Sequence, residues 1–410
     1  MKNLGAIASI THSHEKYTFR DAGFKKIIIA LTAASIINFA NLYFVQPITP
    51  LLARTYSVSS ATAGLSISAA VISMVIGLLF FSFLSDRVGR IPIMHITLLC
   101  TLLPLAVMPL VHSFELFLVL RFIQGIFMAG LPAAAIAYIS DEVDSKSVGL
   151  GITMYIAANA IGGTIGRIFV GTIADVTSLQ TSLFALLALE AVLFVIYFLI
   201  LPKSYFFAPS DRSMKNDLAG MFSHVGNTML IPAFLMGILL QFSFTGVWTF
   251  LPFYLEKEPF HLSVSNISFT YLAYFAGTTG AMVAGRISIH VKKTTIVSVG
   301  IIILICGTLM TNIQSLGMVI VGLCLVCLGF FVSHSIMAAI VNERATHHKA
   351  GASSLYLVCY YIGVATGGTL VGHIWESVGW FAVTAISLLV IPFAVITVRQ
   401  GGRKLGKRVG

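Results

Sequence analysis

Among the ionisable side chains inside long apolar stretches of this sequence, we single out Arg121, Arg167, Glu190 and His334. A charge in such surroundings is costly unless it has a partner or reaches water, by about 3 kcal/mol for an arginine within a membrane. Glu190 can pair with Arg167 or carry a proton, and His334 can titrate near neutral pH. Packing roles for Glu190 and His334, and an interfacial position for Arg121, remain open. These residues suggest ion binding and proton movement.

Polar and aromatic side chains on several apolar stretches are candidates for the wall of a ligand cavity. They are Asn38, Asn41, Gln46, Gln124, Asn159, Gln241, Trp248, Tyr271, Tyr274 and Tyr360. Tyrosines near helix ends can instead belong to the aromatic belts of a membrane interface. The sequence contains no recognisable catalytic triad, nucleotide-binding loop or metal-ligand cluster. These features predict ligand binding without a cofactor or metal and argue against an enzyme.

The apolar stretches predict membrane-spanning helices. A bilayer core of roughly 30 Å requires about 20 apolar residues in a helix, and only a helix satisfies its own backbone hydrogen bonds in lipid. Hydrophobic residues make up 57% of the chain and charged residues 10%, which is typical of a polytopic membrane protein. We predict an all-α membrane protein with twelve spans, at residues 27–53, 61–84, 91–112, 115–140, 146–174, 179–201, 229–255, 264–287, 294–313, 316–341, 349–373 and 379–398.

Basic residues are distributed unevenly between the predicted loops. The termini and the even-numbered loops hold most of the lysines and arginines, whereas the other loops keep only Arg54 and Lys257. By the positive-inside rule, both termini are expected in the cytoplasm. The first 26 residues lack the pattern of a signal peptide, so the first span is expected to stay in the protein. Topology and anionic lipid headgroups therefore explain the net charge of +10 without nucleic acid.

An internal repeat divides the spans into two sets of six. Gly162 and Gly166 recur as Gly363 and Gly367, about 201 residues later. Glycines four residues apart let helices approach closely, so we expect them at helix contacts. Two homologous halves with a site between them are typical of secondary transporters. The predicted organisation is a cytoplasmic tail, a six-helix bundle, a cytoplasmic loop, a second six-helix bundle and a basic tail, at residues 1–26, 27–201, 202–228, 229–398 and 399–410.

The two arginines within the first half are predicted to lie at one depth. Arg121 and Arg167 each lie about seven residues outward of the midpoints of their spans. At 1.5 Å per residue, this is roughly 10 Å above the midplane. We therefore expect both to face one outward-side cavity, where Glu190 balances their charge only in part. Such a cavity would favour an anionic substrate over a cationic one.

The loop after the second predicted span carries the run Asp86-Arg87-Val88-Gly89-Arg90. It resembles the signature loop of the major facilitator superfamily, Gly-x-x-x-Asp-Arg-x-Gly-Arg followed by a basic residue. Ser82 and Ile91 depart from that pattern. Gly89 permits a tight turn, and Asp86 can accept charge-assisted hydrogen bonds. The resemblance implies a gating motif that latches the two halves together; the alternative is a loop that only sets the topology.

Two further motifs resemble those of the same superfamily. Arg121, Gln124 and Gly125 are similar to the fourth-helix motif of its proton-coupled exporters. The run that contains Gly162, Gly163 and Gly166 is similar to the glycine-rich motif of their fifth helix, without the proline of that motif. We expect these glycines, together with Gly363 and Gly367, to pack helix against helix.

The resemblance implies a fold, a location and an activity. It implies two six-helix bundles, a monomer and a location in the bacterial cytoplasmic membrane. Within the superfamily, the sequence most resembles the drug-resistance and arabinose-efflux-permease-like branch. The implied activity is proton-driven export of small organic molecules by rocker-switch alternating access, with protons and the bilayer as further partners. Uptake of a small, anionic metabolite is the alternative, since a fold does not set the direction of transport. A membrane-embedded enzyme is the alternative of another class.

Overall fold

The computed structural model describes residues 15–209 and 214–396. Within these residues, ten helices are long and apolar enough to cross a membrane. Spans 1 to 7 are Ala22–Tyr43, Ser60–Val88, Arg90–Leu110, Phe114–Glu142, Val148–Val176, Leu179–Ile200 and Ile231–Glu256. Spans 9 to 11 are Lys293–Met310, Leu316–Arg344 and Lys349–Val378.

Two further spans complete the predicted twelve in a less regular form. Span 8 consists of the helices Val264–Thr270 and Tyr274–Ile287, joined by the 3-10 turn Tyr271–Ala273. Span 12 is the shorter apolar stretch Trp380–Ile396. The prediction of an all-α membrane fold is confirmed, and these two stretches correspond to the two remaining predicted spans. Its boundaries miss the turn in span 8 because apolar composition does not distinguish an α-helix from a 3-10 turn.

The first predicted span, 27–53, corresponds to two helices and is corrected accordingly. Span 1 ends at Tyr43, and a second, short helix follows at Thr49–Thr55. Pro47 lies between the two helices, and Pro50 lies in the first turn of the second. Proline has no backbone N–H and clashes with the preceding helical turn, so it breaks a helix interior but is accepted at a helix start.

The predicted central loop, 202–228, is also partly helical. A nine-residue helix, Met214–Phe222, lies within it. Residues 210–213 of this loop lie outside the described part of the chain. The same is true of residues 1–14 in the predicted N-terminal tail and of residues 397–410, which include the predicted basic tail.

Spans 1–6 and spans 7–12 form two bundles. Buried side chains from Met221 to Ala394 form one continuous cluster in the second bundle. The first bundle has two clusters, one of which also includes Val264 and Val364 of the second bundle. The repeated glycines occupy matching contacts. A Cβ atom on Gly166 of span 5 would collide with Ala40 of span 1, and one on Gly367 of span 11 would collide with the backbone of Phe242 in span 7.

The two ends of the molecule are named by the loops that they carry. The terminal face holds Tyr17, whose backbone N–H donates to the carbonyl of Glu142 at 2.9 Å. The far face is the opposite end and holds Tyr56, whose hydroxyl donates to the carbonyl of Val111 at 3.2 Å. Each span runs between these two faces.

The bundles are joined at the far face by charged side chains. Arg54 and Glu256 form an ion pair of 2.7 Å across the boundary. Glu376 of span 11 accepts hydrogen bonds from the Ser60 hydroxyl at 2.8 Å and from the backbone N–H of Ala61 at 2.9 Å. A carboxylate is favourable at this position because it lies at the positive N-terminal end of span 2.

Further hydrogen bonds join the bundles below these charges. The Thr49 hydroxyl contacts the carbonyl of Thr249 at 3.3 Å. The Ser68 hydroxyl donates to the carbonyl of Ala365 at 2.6 Å. These contacts close the far end of the space between the bundles.

Candidate functional site

A cavity of about 580 Å³ lies between the two bundles. Spans 1 and 5 line it from the first bundle, and spans 7, 8, 10 and 11 line it from the second. The lining runs from Gln46 and Arg167 to Thr153 and Met282. Thr153 and Met282 are exposed and lie within about two turns of the terminal-face ends of their helices. The cavity is therefore open toward the terminal face and closed toward the far face.

Arg167 is the one charged side chain among the described residues that line this cavity. Its Nε donates to the Gln46 side-chain oxygen at 2.6 Å, and a terminal nitrogen lies 3.5 Å from the Tyr274 hydroxyl. The guanidinium carbon also lies 4.1, 4.9 and 4.6 Å from the ring centroids of Tyr43, Tyr271 and Tyr274. Aromatic ring faces attract a cation and hold its plane. The guanidinium is thus fixed by neutral groups.

The predicted cavity residues separate into two groups. The lining includes Gln46, Asn159, Arg167, Gln241, Tyr274 and Tyr360. The others lie outside it: Asn38, Asn41, Arg121, Gln124, Glu190, Trp248, Tyr271 and His334. Counting residues along a helix gives the depth of a side chain in the membrane, but what that side chain faces depends on how the helices pack.

A chain of hydrogen bonds crosses the first bundle behind the cavity wall. Arg121 donates to the Gln124 side-chain oxygen, Gln124 donates to the Asn41 side-chain oxygen, and Asn41 donates to Glu190 Oε2, each at 2.6 Å. All four side chains are 0% exposed. The second oxygen of Glu190 has no hydrogen-bond partner among the described residues. The chain links spans 4, 1 and 6.

The remaining donors of Arg121 bind backbone carbonyls. They reach Ser66 at 3.0 Å, Asn41 at 2.7 Å and Leu42 at 3.1 Å. These carbonyls belong to spans 1 and 2, so the hydrogen bonds of Arg121 connect span 4 to both of these spans. Its guanidinium is buried and does not reach an interface.

The structure corrects the expectation of two arginines in one cavity. Arg121 lies behind the wall and points toward spans 1 and 2, whereas Arg167 lines the cavity. The idea that Glu190 partly balances Arg167 is also wrong, because Glu190 accepts from Asn41 in a separate network. Equal depth on adjacent helices did not imply a common direction.

The second bundle contributes aromatic rings to the site. Phe244 and Phe330 stack with their ring centroids 3.9 Å apart. Trp248 packs behind Tyr274 at 4.8 Å. His334 lies parallel to Phe330, and its Nδ1 is 3.0 Å from the Tyr356 hydroxyl. In this arrangement His334 is a packed and hydrogen-bonded side chain.

The predicted gating motif lies at the terminal face. Gly89 takes a positive φ of 118°, which side chains other than glycine rarely adopt, and it joins spans 2 and 3. Asp86 forms an ion pair with Arg90, which also reaches Asp141 at 3.4 Å. Arg87 packs over an aromatic ring of its own helix. These contacts lie within the first bundle, so Asp86 does not latch the two bundles together in this arrangement.

The predicted packing glycines differ in what they face. A Cβ atom on Gly125 would collide with the backbone of Ala70 in span 2, and one on Gly363 would collide with the carbonyl of Ile238 in span 7. One on Gly162 would lie 2.7 Å from the carbonyl of Ser35 in span 1. Gly163 instead lines the cavity, where a Cβ atom would lie 3.1 Å from the Arg167 guanidinium.

Comparison with known proteins gives a family. A sequence model described as Major Facilitator Superfamily matches residues 31–368, with a second, overlapping match at 234–407. This chain belongs to the major facilitator superfamily. It is 33% identical over 374 residues to the uncharacterized MFS-type transporter YybF of Bacillus subtilis (strain 168), covering 91% of this chain and 92% of that protein.

Two other proteins extend the comparison. The inner membrane transport protein YnfM of Escherichia coli (strain K12) is 31% identical over 390 residues, covering 94% of this chain and 92% of that protein. A solved bacterial homologue of the human lysosomal transporter Spinster, in an inward-facing and occupied conformation, has a TM-score of 0.73 at 14% identity. That match covers 93% of this chain and 97% of the solved chain. The latter likeness concerns the fold.

Membership of the major facilitator superfamily makes this chain a multi-pass membrane transporter. Transporters of the superfamily act on small molecules. The cavity between the bundles is therefore the candidate substrate site.

Sequence reasoning missed most of the apolar wall of this site. The missed residues include Phe39, Phe244, Phe275, Phe330 and Phe331. Phenylalanine on an apolar helix gives no signal by itself, since lipid and a cavity wall both accept it. The available signal was spacing: Phe244 lies three residues after the predicted Gln241 and therefore on the same side of its helix.

Proposed function

We propose that this transporter is a proton-coupled exporter of small organic molecules that works by alternating access. The observation that carries the proposal is the cavity between the bundles, open at the terminal face and closed at the far face by pairs such as Arg54 and Glu256. A rocking motion that exchanged the open end would move a bound molecule across the membrane.

The proposed orientation places both termini in the cytoplasm. Loop lysines and arginines are concentrated on the terminal face, as the positive-inside rule requires of a cytoplasmic side. The relative YnfM is named as an inner membrane transport protein, which supports a bacterial cytoplasmic membrane. On this assignment the described arrangement is inward-facing, with the bundles as predicted at 27–201 and 229–398, and the protein acts as a monomer.

Glu190 is the proposed proton carrier. It lies in the middle of span 6, and acids within membrane spans are typical of proton relays. Asn41 and Gln124 connect it to Arg121, so protonation of Glu190 would alter hydrogen bonds on three helices at once. Such a change can shift the packing of span 6 against span 1.

The proposed direction rests on the motif of span 4. Arg121, Gln124 and Gly125 resemble the motif of proton-coupled exporters. The second candidate is uptake of a small anion, which the cationic Arg167 in the cavity favours. Both candidates use the same machinery and differ in how the gradients are coupled.

Everted membrane vesicles separate these candidates. A proton gradient, acid inside, is formed, and anionic, neutral and cationic compounds are added one at a time. An exporter should accumulate its substrate in the lumen, release lumenal protons as it does so, and stop when a protonophore is added. Vesicles from cells without the protein are the control. Transport that continues unchanged in the presence of the protonophore would overturn proton coupling. Accumulation only in right-side-out vesicles would overturn export as the direction of transport.

A cross-link at the far face tests alternating access. Arg54→Cys and Glu256→Cys replace the two members of an existing ion pair, so a short bifunctional thiol reagent should join them. We expect cross-linking to abolish transport and cleavage of the reagent to restore it. Each single cysteine variant, treated in the same way, controls for reaction at native cysteines. Full transport by the cross-linked protein would rule out opening at the far face.

A further inference from the structure

We infer that the cavity binds a small organic carboxylate, with its carboxylate on Arg167 and its apolar, ring-bearing body against the phenylalanines of the wall. The inference rests on the proposed transport function and names the substrate class for the same cavity. It depends on the bonding state of Arg167 and on the composition of the wall around it.

Arg167 has hydrogen-bonding capacity to spare. A guanidinium carries five N–H donors, and Arg167 directs two of them to Gln46 and Tyr274, the second at the long distance of 3.5 Å. No acidic side chain among the described residues forms an ion pair with it. A buried cation without a counter-ion is costly, and an anionic ligand would remove that cost.

Arg121 provides an internal comparison for this state. Arg121 also lacks a carboxylate, yet it makes four hydrogen bonds, to three backbone carbonyls and the Gln124 side chain. It does not line the cavity. Arg167 has fewer acceptors and lines the cavity, so an incoming carboxylate can reach its free donors. Arg121 therefore has its hydrogen bonds within the protein, whereas Arg167 can still bind a carboxylate from the cavity.

The cavity wall selects by charge. No described lining residue is aspartate, glutamate or lysine, so the electrostatic potential of the lining is set by Arg167. In a site of low dielectric constant, a single cation attracts an anion and repels another cation strongly. An organic cation would have no acceptor stronger than an amide, a hydroxyl or the face of a ring.

The remainder of the wall fits an apolar body. Phe39, Phe244, Phe275 and Phe330 line the cavity, with a few polar groups such as Asn159 among them. A volume of about 580 Å³ falls within the usual range of small-molecule sites. Ring faces pack favourably against one another in offset or edge-to-face arrangements. The combination is suited to an aryl or alkyl carboxylate.

Binding of matched analogues to the purified full chain tests the inference. The probes are 4-phenylbutyrate, its amide and the corresponding amine, and indole-3-acetate, its amide and tryptamine, each titrated calorimetrically in lipid nanodiscs. We expect each carboxylate to bind at least tenfold more tightly than its amide, because charge-assisted hydrogen bonds are the stronger kind. The amines should bind most weakly.

Variants then assign the preference to Arg167. Arg167→Gln should reduce carboxylate affinity to that of the amide, and Arg167→Lys should retain part of the preference. Lys146→Gln removes one cation from an exposed loop and should change nothing. Equal or tighter binding of the amines, a carboxylate preference unchanged in Arg167→Gln, or no binding of either carboxylate would overturn the inference. If Arg167→Gln does not fold, the ranking on the wild-type protein and on Arg167→Lys decides.

Failure of this inference is distinguishable from failure of the proposed function. Proton-coupled export of neutral or cationic compounds in vesicles, without carboxylate binding, would leave the function standing and remove the substrate class. Carboxylate binding without any proton-coupled transport would do the reverse.

Discussion

The first bundle and the second bundle share their helix packing but differ in the side chains behind the cavity. In both, a glycine-bearing helix lies against the first helix of its bundle, through Gly166 in one and Gly367 in the other. Behind the wall, the first bundle has the buried network from Arg121 to Glu190. The second has aromatic rings there, with Trp248 behind Tyr274 and with Phe244 stacked on Phe330 in the wall itself.

The repeat itself shows how far the two bundles have diverged. The stretch Ala134-Ala135-Ile136 recurs as Ala338-Ala339-Ile340, a shift of 338 − 134 = 204. At that shift Arg121 corresponds to Leu325, so span 10 has no cation at the position where span 4 has one. Backbone packing can thus be retained while the chemistry changes. We interpret the first bundle as the part that handles charge and the second as the part that shapes the apolar wall.

The largest expected effect comes from removing the arginine of the first bundle. Arg121→Leu leaves four buried acceptors without their donor. A buried acceptor left without its donor costs about 1–3 kcal/mol, so we expect a loss of several kcal/mol of stability. We expect a much lower thermal midpoint of the purified protein or its loss from the membrane. Arg121→Lys keeps the charge without the planar fork and should be intermediate. A midpoint equal to wild type would contradict the structural role given to the network.

The second bundle should respond to a ring deletion with a smaller loss. Phe330→Ala removes the stack with Phe244 and the parallel contact with His334. Because the ring borders an existing cavity, we expect about 2–3 kcal/mol, at the low end of such truncations. Phe330→Leu keeps a large apolar side chain without the ring and should retain more of the stability. Thermal midpoints of the two variants would show this; if Phe330→Ala proved as damaging as Arg121→Leu, the contrast between the bundles would fail.

More of the fold than of the candidate site could be predicted from the sequence, for physical reasons. Long charge-free stretches require membrane helices, and the glycine repeat identifies two bundles, so the twelve spans could be predicted. Hydropathy alone does not show the break after Tyr43, although Pro47 and Pro50 mark it. The 3-10 turn at Tyr271–Ala273 could not be predicted, because hydropathy there is unchanged. The depths of Arg121 and Arg167 were accessible from residue counting, but their facing directions depend on tertiary packing. The phenylalanine wall resembles a lipid-facing surface in sequence.

Replacing Glu190 should have a still smaller effect on stability but a large effect on the coupling of proton movement to substrate transport. Glu190→Gln preserves the side-chain shape and an oxygen that can accept from Asn41. Stability should therefore change by less than about 1 kcal/mol, as for a replacement that keeps the hydrogen bond. Proton movement coupled to substrate should be lost, because an amide does not titrate. Vesicle assays of lumenal pH check this, with Glu115→Gln at the end of span 4 as the control acid. Unchanged coupling in Glu190→Gln would remove Glu190 as the proton carrier.

The smallest expected effect lies at the far face, where the two bundles touch through exposed charges. The ion pair of Arg54 with Glu256 has side chains that are 58% and 20% exposed, so it should contribute less than about 1 kcal/mol. Even so, Arg54→Ala should raise the fraction of molecules open at the far face by up to about fivefold, since 1.4 kcal/mol corresponds to tenfold.

Thr49→Cys reports this opening, because Thr49 is 0% exposed between the bundles. Its labelling by a membrane-impermeant thiol reagent should be faster in Arg54→Ala and near normal in Arg54→Lys. Protein without the introduced cysteine gives the background from native thiols. Labelling of Thr49→Cys that is equally fast with Arg54, Arg54→Ala and Arg54→Lys would show that the ion pair does not hold the far face closed. The other contacts there, including those of Glu376 with the start of span 2, would then be sufficient to close it.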